Sequence, residues 1–104
     1  MTTHNDISYI SFHIIDCRLK GIYKFIRKEK YSRARILIIK TITQFQKVTE
    51  TEADTTFMSH VIDVLYHTLV EINLKNYNGG HDRIRDLHYE ILNRTMTYFE
   101  KEIE

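Results

Sequence analysis

The sequence predicts an all-α protein, an antiparallel up-down four-helix bundle that forms a single domain over residues 1–104. Apolar residues recur at three- and four-residue steps along four segments, which is the period of an amphipathic helix. The chain has no proline and only three glycines among its 104 residues, a composition that fits long helices joined by short connections. Short connections make consecutive helices antiparallel neighbours, and this predicts the up-down order.

The helix bounds follow from the apolar period and from polar breaks between the segments. The predicted helices are Asp6–Lys28, Ser32–Thr49, a third that begins after Asp54 or Thr55 and ends near Lys75, and Asp82–Glu102. Ser32 is a candidate N-cap. The strongest turn signal is Asn76-Tyr77-Asn78-Gly79-Gly80, because Asn and Gly tolerate positive φ angles. No sequence repeat is evident.

Cysteine usage and the N-terminus bear on the compartment. Cys17 is the single cysteine, so a disulfide within the chain is excluded and a reducing compartment is favoured. We expect Cys17 to be a small core residue of the first helix, with Ile14 three positions before it. The N-terminal residues lack the regions of a signal peptide, and no apolar run approaches the roughly 20 residues that span a bilayer. These observations predict a cytoplasmic protein without membrane association.

Positive charge is concentrated in the first half of the chain. Residues 1–52 carry ten Lys/Arg against five Asp/Glu, and residues 53–104 carry five against nine. Seven cations around the first predicted turn form a candidate basic patch: Lys20, Lys24, Arg27, Lys28, Lys30, Arg33 and Arg35. The patch is either a solvated hairpin tip or a docking surface for an acidic partner. It lacks the aromatic and glycine interleaving of RNA-binding segments, so nucleic acid is not the expected partner.

Few residue patterns in the sequence can carry catalysis. His60 and His67 are seven positions apart, as are His81 and His88, and on a helix this spacing separates each pair by about 10 Å. One metal ion cannot bridge that distance. The chain has no Gly-rich phosphate loop and no patterned nucleophile. We therefore expect no metal, no cofactor and no enzymatic activity.

One enzyme-like pattern remains, the Arg-x4-His spacing of Arg83 and His88. It is similar to that of the HEPN ribonucleases, small helical bundles in which an Arg and a His meet at the scissile phosphate across a dimer cleft. In such a site the cation stabilises the phosphorane while the imidazole transfers a proton. Ile84 stands where that family usually has a polar residue. A metal-independent ribonuclease or toxin that uses Arg83 and His88 is the alternative function.

The third predicted helix carries the most specific motif in the chain. Residues 61–73 read Val-Ile-Asp-Val-Leu-Tyr-His-Thr-Leu-Val-Glu-Ile-Asn. This stretch resembles the third helix of the FliS family, cytosolic export chaperones of flagellin, whose pattern is Leu-Tyr-Asp-Tyr-x-Tyr-x-x-Leu-x-Glu-Ala-Asn. The matching residues are Asp63, Tyr66, Leu69, Glu71 and Asn73, and in the first helix Asp16 and Lys20.

The resemblance implies a non-catalytic chaperone that holds the disordered amphipathic terminus of a client, such as flagellin, before export. The family's N-terminal strap over the binding groove has no counterpart here, which leaves another helical client open. Candidate client contacts are helix-margin residues: Ile15, Tyr23, Ile39, Tyr66 and Val70. Surplus apolar residues at the margins also suit a homodimer face. A third interpretation is a small helical adaptor that docks a protein partner through the basic patch.

Overall fold

Four α-helices make up the described part of the chain. The computed structural model describes the backbone of residues 4–49 and 56–103, and the side chains of residues 13–47 and 56–94. The helices are α1 (His4–Arg27), α2 (Tyr31–Thr49), α3 (Thr56–Asn73) and α4 (Tyr77–Ile103). Both α1 and α3 pack against α2 and α4. This arrangement confirms the predicted all-α four-helix bundle.

The core is built from one stripe of each helix. Its apolar members are Ile15, Leu19, Ile22, Ile26, Ala34, Ile38, Ile42, Phe45, Val61, Leu65, Ile72, Ile84, Leu87 and Ile91. Among the predicted core residues of α1, Cys17 is exposed, with its Sγ 3.8 Å from His13 Nε2, and Ile14 is half-buried against the core. Because α1 carries apolar residues on two adjoining sides, its three- and four-residue steps fit two phases about 100° apart.

The α1–α2 hairpin and the α3–α4 hairpin are two copies of one design. All of their buried positions except Ile42 coincide after a shift of 46 positions, the separation of Tyr31 from Tyr77, and Ile42 corresponds to the half-buried His88. Ile15, Leu19, Ile22, Ile26, Ala34, Ile38, Thr41 and Phe45 correspond to Val61, Leu65, Thr68, Ile72, Gly80, Ile84, Leu87 and Ile91. The repeat is not evident in the sequence because the similarity is confined to buried positions, whereas the exposed residues between them differ.

The connection after α1 and the connection after α3 share one backbone geometry. After α1, the Lys30 amide donates to the Phe25 carbonyl at 2.8 Å and the Glu29 amide donates to the Ile26 carbonyl at 3.0 Å. The Asn76 and Lys75 amides repeat these two bonds after α3. Each connection is therefore a Schellman motif. Its left-handed residue is Glu29 (φ 59°) in the first connection and Lys75 (φ 63°) in the second.

The turn was predicted at Asn76–Gly80, but the connection ends earlier in the chain, because α4 already begins at Tyr77. Asn76 precedes it as the N-cap, and its Oδ1 accepts a hydrogen bond from the Gly79 amide at 3.2 Å. Neither Gly79 nor Gly80 has a positive φ. Gly80 is buried, and an added Cβ would lie 3.4 Å from Ile72 Cγ1, which is an ordinary van der Waals contact. The predicted N-cap Ser32 is likewise inside its helix, which begins at Tyr31.

Tyr31 and Tyr77, the first residues of α2 and α4, stack on each other at the hairpin end of the bundle. Their ring centroids are 3.6 Å apart and their planes differ by 5°. Desolvation in this stack, together with the Glu29 carboxylate, raises the pKa of the Tyr31 phenol above its ordinary value. Because the two residues are equivalent in the repeat, the stack joins the hairpins at their approximate twofold axis.

Replacing Lys75 or Glu29 by glycine is expected to raise the free energy of unfolding by about 1 kcal/mol each. An L-residue in the left-handed region costs about 1–2 kcal/mol, which glycine avoids, although glycine has more entropy to lose on folding. Urea denaturation of the single variants measures the gain. The control Lys40→Gly, at an exposed position inside α2, should lower stability by about 0.5–1 kcal/mol. Equal losses in all three variants would contradict the left-handed cap geometry.

Candidate functional site

Helices α2 and α3 and the residue after α3 carry five exposed large apolar side chains, which we call the apolar face. It consists of Ile36 and Ile39 on α2, Tyr66 and Val70 on α3, and Leu74 just after α3. These side chains are between 46% and 73% exposed. Single exposed apolar residues are ordinary, whereas a large exposed apolar patch marks an interaction site, so this set is a candidate site.

Contacts to the neighbouring helices fix the position of this face. Leu37 marks the side of α2 that meets α1, since a Cβ added to Gly21 would lie 3.0 Å from Leu37 Cδ2. Ile39 is two residues further on, about 200° around the helix, and therefore lies toward α3. Gln46 Nε2 donates a hydrogen bond to Tyr66 Oη at 3.3 Å across the α2–α3 pair. Val70 is one turn after Tyr66 and shares its side of α3.

A basic stripe runs beside the apolar face. Arg33, Lys40 and Lys47 recur at seven-residue intervals on α2 and are exposed. This spacing places them on one line, next to Ile36. Helix α2 carries no Asp or Glu, so the stripe has no acidic residue on its own helix. The surface therefore combines an apolar centre with a cationic edge.

The opposite side of the bundle, between α1 and α4, carries a cleft that we call the charged cleft. Its volume is about 270 Å³, and its lining residues are Leu19, Lys20, Tyr23, Ile84, Arg85, His88 and Tyr89. Leu19 and Ile84 are fully buried and form the floor. Around this apolar floor lie one lysine, one arginine, one imidazole and two tyrosine rings. The cleft therefore presents both polar and apolar groups to a ligand.

Asp16 contacts two residues that line the charged cleft, Lys20 and His88. Its Oδ2 lies 3.0 Å from Lys20 Nζ, and its Oδ1 lies 2.6 Å from His88 Nε2. The hydrogen bond and charge of Asp16 raise the pKa of the Lys20 ammonium above its ordinary value. Asp16 Oδ1 and His88 Nε2 are both buried, and their close contact lacks the alignment of a hydrogen bond. Among the described side chains, Asp16 thus joins α1 to α4.

The repeat makes the α2–α3 interface and the α1–α4 interface equivalent in position. One of these seams is apolar and the other is charged. The shift of 46 positions relates Asp16 to Ile62 and relates Ile42 to His88. It also relates Lys20 to Tyr66, and Ile39 to Arg85. One backbone design thus presents an apolar seam between α2 and α3 and a charged seam between α1 and α4.

The structure distributes the predicted client contacts over three places. Ile39, Tyr66 and Val70 lie together on the apolar face, whereas Tyr23 lines the charged cleft. Ile15 is 1% exposed and belongs to the core. It is therefore not accessible to a partner, because the side of α1 that was assigned to the margin is the side that packs inward.

Some members of both surfaces were not predicted from the sequence. Ile36 and Leu74 complete the apolar face; Ile36 was hidden in the run Ile36–Ile39, where four apolar residues in succession give no phase. Asp16 matched the FliS pattern of the first helix and Arg85 matched no pattern, and neither was predicted to belong to a cleft. Only the approach of α1 to α4 reveals their common site.

The candidate basic patch is divided by the structure. Lys20 lies in the charged cleft beside Asp16. Arg27 lies over the Tyr23 ring at 5.8 Å, and Lys24, Lys28 and Lys30 also belong to the end of α1 and its connection. Arg33 is part of the basic stripe, and Arg35 donates a hydrogen bond to Ser32 Oγ at 3.2 Å. The use of these cations as a docking surface remains a prediction.

Arg83 and His88, the residues of the alternative ribonuclease hypothesis, contact different neighbours. Arg83 Nη2 lies 3.7 Å from Glu71 Oε1 on α3, whereas His88 contacts Asp16 on α1. Five residues correspond to about 140° around a helix, which explains the divergence. Within one chain the two side chains do not meet at a common point. Their use in catalysis remains a prediction.

Comparisons with models of known protein families, with curated proteins and with solved structures returned no match. Within the described ranges, no group of three or more His, Cys, Asp or Glu side chains is placed to hold a metal ion. The helices in those ranges also lack the combination of length and apolar character that a bilayer crossing requires. The interaction surfaces are therefore the features on which a function can be argued.

Proposed function

We propose that this protein is a non-catalytic helix-binding chaperone or adaptor whose apolar face holds an amphipathic helix of a client protein. The observation that carries the proposal is the exposure of five large apolar side chains along α2 and α3, namely Ile36, Ile39, Tyr66, Val70 and Leu74. Two antiparallel helices with apolar side chains along their shared seam form a shallow groove. An amphipathic helix can bury its own apolar stripe there, with anchors at i, i+3, i+4 and i+7.

The basic stripe defines the chemistry of the client helix. Arg33, Lys40 and Lys47 lie along one edge of the apolar face. A bound helix would place one flank against these cations, so a helix with Glu or Asp on that flank is favoured. We therefore propose an acidic amphipathic helix as the occupant, in preference to a second copy of this chain, because a second copy would bring its own basic stripe to the interface.

The resemblance to the FliS family adds a hypothesis about the client. In that family the client segment is disordered when free and folds as it binds. A client of this kind loses part of the binding free energy to the ordering of its chain. Flagellin is one candidate, and any chain with an acidic amphipathic terminus is another. Of the motif residues, Tyr66 lies on the apolar face.

Binding of designed peptides tests the proposal directly. A fluorescein-labelled helix-forming peptide with a leucine stripe and glutamate flanks should bind saturably, as measured by fluorescence anisotropy. The same peptide with lysine flanks should bind at least about tenfold more weakly, and a scrambled peptide without the stripe should not bind. Added salt should weaken the glutamate peptide because it screens exposed charges.

Two results would contradict this proposal. Equal affinity for the glutamate and lysine peptides would remove the role of the basic stripe. No binding of the glutamate peptide, with a concentration-dependent dimer in sedimentation velocity, would assign the apolar face to self-association.

A further inference from the structure

We propose that a pocket at the hairpin end of the bundle, which we call the aromatic pocket, binds a nucleotide. The base would lie against aromatic rings, and the phosphate would contact the cations at the end of α1. The proposal goes beyond helix binding and does not depend on it, because the pocket lies where α1 ends and α4 begins, whereas the apolar face lies along α2 and α3. The lining residues that carry the argument are Tyr23, Arg27, Glu29, Tyr31, Tyr77 and His81.

Four ring side chains line the aromatic pocket in two contacting pairs. The Tyr31 and Tyr77 rings stack at 3.6 Å, and the Tyr23 ring centroid lies 4.6 Å from that of His81. All four residues are half-buried, so part of each remains accessible. The pocket has a volume of about 420 Å³, within the range of roughly 300–1,000 Å³ typical of small-molecule sites. These rings suit the planar base of a nucleotide, because bases stack on Tyr and His side chains.

The cations around the aromatic pocket are not neutralised by carboxylates. Residues 23–35 carry six Lys/Arg against one Glu. Arg27 lines the pocket, and Lys24, Lys28 and Lys30 are exposed on the same end of α1 and its connection. Among the described side chains, none of these four cations has a carboxylate at ion-pair distance. Positive charge is therefore left for a phosphate. This differs from the charged cleft, whose lysine and arginine both contact carboxylates.

Glu29 and Arg27 give the two ends of the ligand different places. The Glu29 carboxylate lines the pocket and accepts hydrogen bonds, so it suits the N–H groups of a base and repels a phosphate. Guanine carries two neighbouring N–H donors on one edge, which match the two oxygens of a carboxylate. Arg27 Cζ lies 5.8 Å from the centroid of the Tyr23 ring, so a cation for the phosphate adjoins the aromatic surface for the base. Guanosine 5′-monophosphate, GMP, is therefore the ligand of choice.

The repeat shows that packing does not require this combination of side chains. The shift of 46 positions relates Tyr23 to Leu69, and Arg27 to Asn73. Tyr23 and Leu69 are both half-buried, and Arg27 and Asn73 are both exposed. The end of α3 thus has the same backbone design without the ring and without the cation. A binding role explains why the end of α1 carries them.

The aromatic groups of the pocket come from different parts of the chain. The basic patch lacks aromatic interleaving in the sequence, but the fold brings Tyr77 and His81 of α4 to it. Aromatic rings beside unpaired cations are the combination that binds single-stranded nucleic acids and their nucleotides. The ligand is therefore either a free nucleotide or a nucleotide within a single strand, and both share this chemistry.

An NMR titration of the full-length, ¹⁵N-labelled protein with GMP tests this proposal. Guanosine lacks the phosphate, and ribose 5-phosphate lacks the base. GMP should shift the amide signals of Tyr23–Tyr31 and Tyr77–His81 saturably and should bind at least tenfold more tightly than either comparison compound. Arg27→Gln should weaken GMP binding at least tenfold, whereas the control Arg18→Gln, on the same helix and outside the pocket, should leave the affinity within twofold.

A single-stranded RNA octamer of mixed sequence that contains one guanosine distinguishes the two sources of the nucleotide. Tighter binding of the octamer than of GMP, with shifts at the same amides, identifies a strand as the ligand. Binding of the octamer no tighter than that of GMP identifies the free nucleotide.

A second variant separates binding from folding. Tyr23→Leu with Arg27→Asn copies the equivalent residues of α3, so it should keep the helical circular dichroism of the wild type and lose GMP binding. The proposal is overturned if neither GMP nor the octamer produces saturable shifts, if guanosine or ribose 5-phosphate binds as tightly as GMP, or if this double variant folds and binds like the wild type. Equal losses for Arg18→Gln and Arg27→Gln would overturn it as well.

Discussion

A glutamate at position 39 and another at position 70 are expected to abolish binding of the acidic amphipathic peptide while the bundle stays folded. Ile39 and Val70 are 51% and 52% exposed in the free protein, so their replacement leaves the core intact. In the complex each would be covered by the client helix. Burial of such a side chain contributes about 1.5–3 kcal/mol, and a carboxylate at the same place must be desolvated next to a client with acidic flanks.

The expected result for the double variant Ile39→Glu/Val70→Glu is a loss of affinity of at least about a hundredfold, since 1.4 kcal/mol corresponds to a factor of ten. Fluorescence anisotropy measures the affinity, and circular dichroism with a thermal melt measures folding. Leu92→Glu is the matched control, because Leu92 is an exposed apolar residue on α4, outside the apolar face. Unchanged affinity in the double variant, or an equal loss in Leu92→Glu, would show that the client does not use this surface.

Truncation of Ile38 or Ile84 to alanine is expected to lower the free energy of unfolding by about 2–5 kcal/mol. Both side chains are fully buried, and they occupy the same position of the repeat, one in α2 and one in α4. Loss of each isoleucine removes buried methyl and methylene groups and leaves a cavity in a bundle of only 104 residues. In so small a domain, this is a large part of the total stability.

Because the two positions are equivalent in the repeat, the two truncations should lower the free energy of unfolding by amounts that agree to within about 1 kcal/mol. Urea denaturation monitored by circular dichroism provides both values. Ile36→Ala is the control, since Ile36 is 54% exposed and its truncation should change stability by no more than about 0.5 kcal/mol. A strong effect at Ile36, or a negligible one at Ile84, would contradict the core as described.

The fold followed from the sequence because its main signals are local. Apolar periodicity identified all four helices, and the absence of proline indicated short connections. The errors arose where local signals were ambiguous. Helix α1 has apolar residues on two sides, so only its neighbours select Ile15 over Ile14 for the core. Gly79 and Gly80 signalled a turn, but the left-handed position falls on Lys75.

The two candidate surfaces differed in how far the sequence could predict them. Ile39, Tyr66 and Val70 of the apolar face were predicted, because large apolar residues beside a core stripe can be found from helical phase alone. The charged cleft was not predicted. Asp16 and His88 are far apart in the chain and belong to no motif together, so their 2.6 Å contact depends on which helices become neighbours.

We propose above all that the α2–α3 surface binds an acidic amphipathic helix. Amide NMR mapping of the ¹⁵N-labelled protein, titrated with the unlabelled glutamate-flanked peptide, tests it most directly. The predicted result is a saturable change at Ile36–Lys40 and Tyr66–Leu74, with little change at Ile84–Tyr89. Saturable changes on α1 and α4 with none on α2 and α3, or no saturable change at all, would contradict the claim.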